Sequence, residues 1–170
     1  FYPSVGTSFV FSELFSPSLK KAISLGKLRF SYAMVGNDTA PYRTTRYFSI
    51  GGQFNNSPFT NPNTTMNNLT LKPEITVSYE GGLEMKFFKE RLGFDFTYYH
   101  SRTYNQIVSA YVTPTSGYER RFFNAGCIRN SGIEFSLSAT PVKTKSFRWN
   151  TTANFAKNNS MVESLLEEYD

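Results

Sequence analysis

The side chains that enzymes most often recruit are scarce in this chain. His100 is its only histidine, so at most one imidazole is available for proton transfer and no multi-histidine metal site can form. Ser101 follows directly, but neighbours on a strand point to opposite faces, so the pair cannot begin a nucleophilic triad. Cys127 is the only cysteine, which excludes an intrachain disulfide framework and a thiolate metal cluster; it reads as a small, half-buried side chain. No catalytic constellation, metal site or cofactor is implied.

Binding chemistry is also constrained. The net charge of +5 comes from 18 Lys and Arg against 13 Asp and Glu. These cations are scattered, with short clusters only at Lys20-Lys21 and Arg120-Arg121. With no Gly-rich phosphate loop and no basic helix, nucleic acid is not an expected partner. Asn-x-Ser/Thr triplets such as Asn37-Asp38-Thr39 and Asn150-Thr151-Thr152 arise by chance in an Asn- and Thr-rich chain, and no glycosylation is read from them.

The elements that must carry these residues are strands. The chain has 170 residues, 39% hydrophobic and 18% charged, which suits a folded domain; 17 Phe and 11 Tyr against one Trp set it apart from Leu-rich helix bundles. Its longest apolar run is four residues, Tyr32 to Val35, far short of the ~20 that a membrane-spanning helix needs. Transmembrane β-strands remain open, since they need only alternation.

Alternation is clearest from Glu74 to Phe87. Ile75, Val77, Tyr79, Leu83, Met85 and Phe87 fall on one side, and Glu74, Thr76, Ser78, Glu80, Glu84 and Lys86 on the other. After Phe88-Lys89-Glu90-Arg91 the pattern resumes, with Leu92, Phe94, Phe96 and Tyr98 opposite Gly93, Asp95, Thr97 and Tyr99, which predicts a long hairpin. A second hairpin sets Ile133, Phe135, Leu137 and Ala139 opposite Glu134, Ser136 and Ser138. Its return strand carries Phe147, Trp149 and Phe155 opposite Arg148, Asn150 and Asn154.

An earlier pair joins Val5, Phe9 and Phe11 to Leu28, Phe30, Tyr32 and Met34 through Ser16-Pro17-Ser18. The expectation is an all-β, antiparallel up-and-down meander of about six strands, near 1–11, 27–35, 74–88, 92–104, 131–140 and 146–157. Long loops are expected at 36–73 and 105–130.

Short turns therefore gather at one end of the strands and long loops at the other, the layout of an outer-membrane barrel. Phe9, Phe11, Phe87, Phe88, Phe147 and Trp149 fall near the short-turn end, and Tyr32, Tyr98, Tyr99 and Phe155 toward the loops, as two interfacial belts would require. A soluble carbohydrate-binding or adhesive β-sandwich, with the same aromatics in its core, is the alternative. The tail Met161-Val162-Glu163-Ser164-Leu165-Leu166-Glu167-Glu168 reads either as a short amphipathic helix or as the start of another loop.

Several motifs are specific in combination. Leu71-Lys72-Pro73-Glu74, Ser78-Tyr79-Glu80-Gly81-Gly82-Leu83 and Arg91-Leu92-Gly93-Phe94-Asp95-Phe96-Thr97-Tyr98-Tyr99 follow one another. Asn124-Ala125-Gly126 and Ile128-Arg129-Asn130-Ser131-Gly132-Ile133-Glu134 come next, and Phe1-Tyr2-Pro3-Ser4 and Gly36-Asn37-Asp38 precede them. In this order the chain resembles, over nearly its whole length, the SusC-like TonB-dependent outer-membrane transporters. Gly82 departs from the pattern, standing where an aliphatic residue is expected, and Cys127 replaces what is more often a polar one.

The resemblance implies a piece of a 22-stranded barrel in the bacterial outer membrane, importing glycans or peptides with energy supplied through TonB. It implies a SusD-like surface lipoprotein as lid and a plug domain outside this segment. Six strands cannot close, since the smallest such barrels need eight. Leu83, Met85, Phe94, Phe96, Phe135 and Leu137 are then expected to face outer-membrane lipid, and Glu84, Lys86, Asp95, Glu134 and Arg148 the water-filled interior. Substrate contact is expected from the loop aromatics Tyr47, Phe54, Tyr111, Tyr118 and Phe122, which could stack on sugar rings.

Overall fold

The structure is a computed structural model that describes residues 1–165. Six long strands form one sheet: β1 (Ser4–Val10), β2 (Ile23–Asn37), β6 (Glu74–Phe87), β7 (Leu92–Tyr104), β10 (Cys127–Lys143) and β11 (Arg148–Ser164). Their order in the sheet is their order in the chain, β1-β2-β6-β7-β10-β11, so it is an up-and-down meander without crossovers. Segments Phe1–Val35, Val77–Arg102 and Arg129–Met161 make one compact unit. Gly36–Thr76, Thr103–Ile128 and residues 162–165 make a second.

Alternation produces this sheet because it gives every strand one apolar and one polar side. In the β1–β2 ladder, Val5 pairs with Tyr32, Thr7 with Phe30 and Phe9 with Leu28 on one face. Gly6 pairs with Ser31 and Ser8 with Arg29 on the other. The apolar face is continued by ring contacts. Tyr32 meets Tyr79 at 5.1 Å, and Phe94 stacks between Phe87 at 6.1 Å and Phe135 at 6.2 Å, joining β6, β7 and β10. At ~3.3 Å per residue β2, β6, β7, β10 and β11 exceed 40 Å, longer than globular domains usually build.

The β6–β7 turn is tight, with Phe88, Lys89 and Glu90 all at positive φ. It is anchored by Phe88 N–H to the Ala22 carbonyl and Lys89 N–H to Ser24 Oγ, both at 2.9 Å. The β1–β2 connection contains a 3-10 turn (Phe11–Leu14) and one helical turn, α1 (Pro17–Lys20).

The sheet has no core. Among the described residues Ala125 is the only buried hydrophobic one, while Phe9, Phe30, Trp149 and Phe155 of the apolar face are about half exposed. A soluble sandwich must bury that face against a second sheet. Among the described residues that face stays exposed, against the sandwich alternative.

The long connections are built rather than featureless. β3 (Phe48–Phe54) and β4 (Ser57–Pro62) form a hairpin whose Asn55-Asn56 tip sits at φ 48° and 64°. Two successive left-handed residues are what a type I′ hairpin turn requires. β5 (Thr65–Met66) runs parallel to β9 (Arg120–Asn124), which pairs antiparallel with β8 (Ile107–Tyr111). The tail corrects one expectation: Met161 to Ser164 continue β11 as strand and are not helical, while Leu166, Glu167 and Glu168 lie outside the described residues.

Candidate functional site

Two places gather polar side chains. The first is the charged face of the six-stranded sheet. Arg29 on β2 spans β6 to reach Asp95 on β7, donating to both carboxylate oxygens at 2.7 Å. Thr97 donates a further hydrogen bond to Asp95. Glu84 lies 4.0 Å from Lys27 and 3.8 Å from Lys86, and Lys86 lies 3.9 Å from Glu90.

Gly82 makes the long bridge possible. A Cβ at that position would lie 3.0 Å from Arg29 Nε, so the departure from the family pattern is the space the guanidinium occupies. Gly132 repeats the device, lying against the Tyr99 ring where a Cβ would come within 2.5 Å of the phenol oxygen. Tyr99 therefore belongs to the charged face and not to an aromatic belt.

The residues expected to face lipid and those expected to face the interior alternate along their strands. Phe94 and Phe135 lie in the ring stack, with Phe96 and Leu137 partly exposed in the same strand register. Leu83 and Met85 alternate with Glu84 and Lys86 on β6. Asp95, Thr97, Glu134, Ser136 and Asn154 line one open groove together with Phe135, Phe155 and Ala156. Arg148 donates to Asn150, which also accepts from Thr140.

The second place is an open cleft of about 370 Å³ among the loops, lined by Tyr42, Arg43, Tyr47, Asn63, Asn67 and Phe122 among others. Its walls are set by amide side chains. Asn67, buried, donates to the carbonyls of Tyr42 and Thr45, and Asn68 donates to the Phe122 carbonyl at 3.2 Å. Asn63 donates to the Tyr47 hydroxyl at 3.1 Å. The Arg43 guanidinium lies 4.5 Å from the centre of the Phe122 ring, within cation–π range.

Of the five loop aromatics expected to contact substrate, Tyr47 and Phe122 meet here. The others do not line this cleft. Phe54 stands exposed at the β3–β4 tip, and Tyr111 accepts a 2.6 Å hydrogen bond from Arg120, whose guanidinium stacks on its ring. The Tyr118 backbone is held by Ser116. Sequence reasoning missed Tyr42, Arg43, Asn63 and Asn67, since nothing in their spacing marks them. The Asn55-Asn56 pair, expected only as part of a long loop, is the tip of the β3–β4 hairpin.

A single sheet of membrane-length strands, with one aromatic and one charged face and no core, is a stretch of transmembrane barrel wall. Comparison with known proteins agrees. Residues 1–166 match the family described as TonB dependent receptor-like, beta-barrel, and the chain belongs to that family.

TonB-dependent receptor P26 of Formosa agariphila is 28% identical over 97% of this chain and 17% of its own length. TonB-dependent receptor P3 of the same organism is 32% identical over 83% of this chain and 14% of its own. TonB-dependent receptor SusC of Bacteroides thetaiotaomicron is 28% identical over 58% of this chain and 10% of its own. The chain thus spans at most 17% of the length of these relatives. A solved structure of the RagAB peptide transporter shares the fold, with a TM-score of 0.88 at 23% identity over 98% of this chain and 18% of that one. This chain is a segment of a SusC-like, TonB-dependent outer-membrane β-barrel.

Proposed function

We propose that this segment forms part of the wall and the surface loops of an outer-membrane importer that takes up glycans or peptides with energy supplied through TonB. The observation that carries the reading is the coreless sheet, whose aromatic face is left uncovered and whose charged face is cross-linked by Arg29 and Asp95. In the intact protein the domain is a partial barrel of 22 strands, completed by strands and a plug outside residues 1–170. Its partners are TonB, acting through the plug, and a SusD-like lipoprotein as lid.

On this reading Leu83, Met85, Phe94, Phe96, Phe135 and Leu137 contact lipid, while Glu84, Lys86, Asp95, Glu134 and Arg148 face the water-filled interior. The role is transport without catalysis. Tyr47 and Phe122 are the loop aromatics best placed to touch substrate, because they border an open cleft.

Uptake of labelled oligosaccharide and peptide pools by cells carrying the intact transporter tests this. Deleting the transporter and deleting TonB should each abolish accumulation of the same component. Accumulation that survives both deletions would refute the importer reading.

A further inference from the structure

We infer that the loop cleft is a subsite for an acidic sugar, with Arg43 pairing the carboxylate of a uronic-acid residue. The inference rests on the importer reading and adds a ligand class to it. Arg43 is the one charged residue lining the cleft, and among the described residues no carboxylate lies within ion-pair distance of it. Its guanidinium is instead held over Phe122. A stacked guanidinium keeps its outward N–H groups free for the bidentate geometry that suits a carboxylate. Arg120, the other loop arginine beside a tyrosine, donates to Tyr111 and lines no part of this cleft.

The remaining lining favours a sugar. Tyr42 and Tyr47 line the cleft and stay exposed at 77% and 51%, and flat aromatic faces suit the C–H faces of a pyranose. The Tyr47 hydroxyl already accepts from Asn63, which leaves its proton to donate to a ligand oxygen. Tyr42 sits at φ 67°, a strained conformation for a tyrosine, and its carbonyl is held by Asn67 at 3.0 Å. Such strain persists where surrounding structure fixes it. A volume of about 370 Å³ is at the small end of ligand pockets and accommodates one or two sugar rings. An extended peptide would need a longer groove or a free strand edge.

The test is calorimetric titration of the purified intact transporter with trigalacturonate, its fully methyl-esterified form and a capped triglutamate peptide. Wild-type protein should bind the free acid at least about tenfold more tightly than the ester, the scale of one charge-assisted pair. Arg43→Gln should bring that ratio close to one, and Arg43→Lys should retain part of it. Equal affinity for acid and ester, or a ratio unchanged in Arg43→Gln, would overturn the inference. Tighter binding of the peptide than of the uronate would overturn the sugar assignment. TonB-dependent uptake that continues without acid preference would remove this inference alone, whereas loss of TonB dependence would remove the importer reading and leave the binding ratio measurable.

Discussion

Arg29 on β2 and Asp95 on β7 are joined by two 2.7 Å hydrogen bonds although β6 lies between their strands. Strands sit about 4.8 Å apart, so the bridge crosses roughly 9.5 Å of sheet, within reach of an arginine only if the strand beneath stays low. Gly82 keeps it low.

Gly82→Leu should therefore displace the guanidinium and weaken the barrel by about 1–3 kcal/mol, the usual range for overfilling a packed site. The thermal unfolding midpoint of the purified intact barrel in detergent should fall. An unchanged midpoint would show that Arg29 moves aside freely.

A double-mutant cycle of Arg29→Gln and Asp95→Asn should return a coupling of about 1 kcal/mol or less. The two side chains remain 38% and 34% exposed, so solvent screens the pair. Raising salt toward 1 M should shrink the coupling further, since the Debye length falls to about 3 Å. A coupling indifferent to salt would point to hydrogen-bond geometry alone.

If the aromatic face meets lipid, Phe96→Arg should cost ~2–4 kcal/mol near mid-bilayer and reduce the folded fraction in outer membranes, whereas Glu134→Gln should not. The heat-modifiable shift in gel mobility reports both. Equal folded yields for the two variants would reject the facing assignment.

Asn124 stands in for a piece of backbone. Its amide donates to the carbonyls of Lys72 at 2.7 Å and Asn105 at 2.9 Å, and its oxygen accepts the Lys72 N–H at 2.8 Å. Asn124→Ala should strand these groups at about 1 kcal/mol or more each. Faster amide exchange at Lys72 is the expected readout, and unaltered exchange would show that water replaces the side chain.

What could be read from the sequence followed the period. Glu74 to Phe87 alternate apolar and polar residues on either side of Gly81-Gly82, and that stretch is the single strand β6. The loops carry no such record. Asn67, Asn68 and Asn124 organise them through amide-to-carbonyl hydrogen bonds to Tyr42, Phe122 and Lys72, which lie 25, 54 and 52 residues away. Partners so distant leave no local spacing, so Tyr47 and Phe122 could be singled out as aromatics, but not as neighbours. In the sequence Arg43 is one scattered cation among others, and only the fold sets it over Phe122. Gly82 was legible only as an anomaly, because its reason lies two strands apart, in Arg29 and Asp95.

The missing core changes how damage would spread. In a globular domain a substitution is felt radially, through everything packed around it. Here each strand is gripped only along its two flanks, as a stave is in a cask. A flaw in β7 loosens β6 and β10 first, and tolerance to mutation should follow which side a residue faces more than how deep it lies.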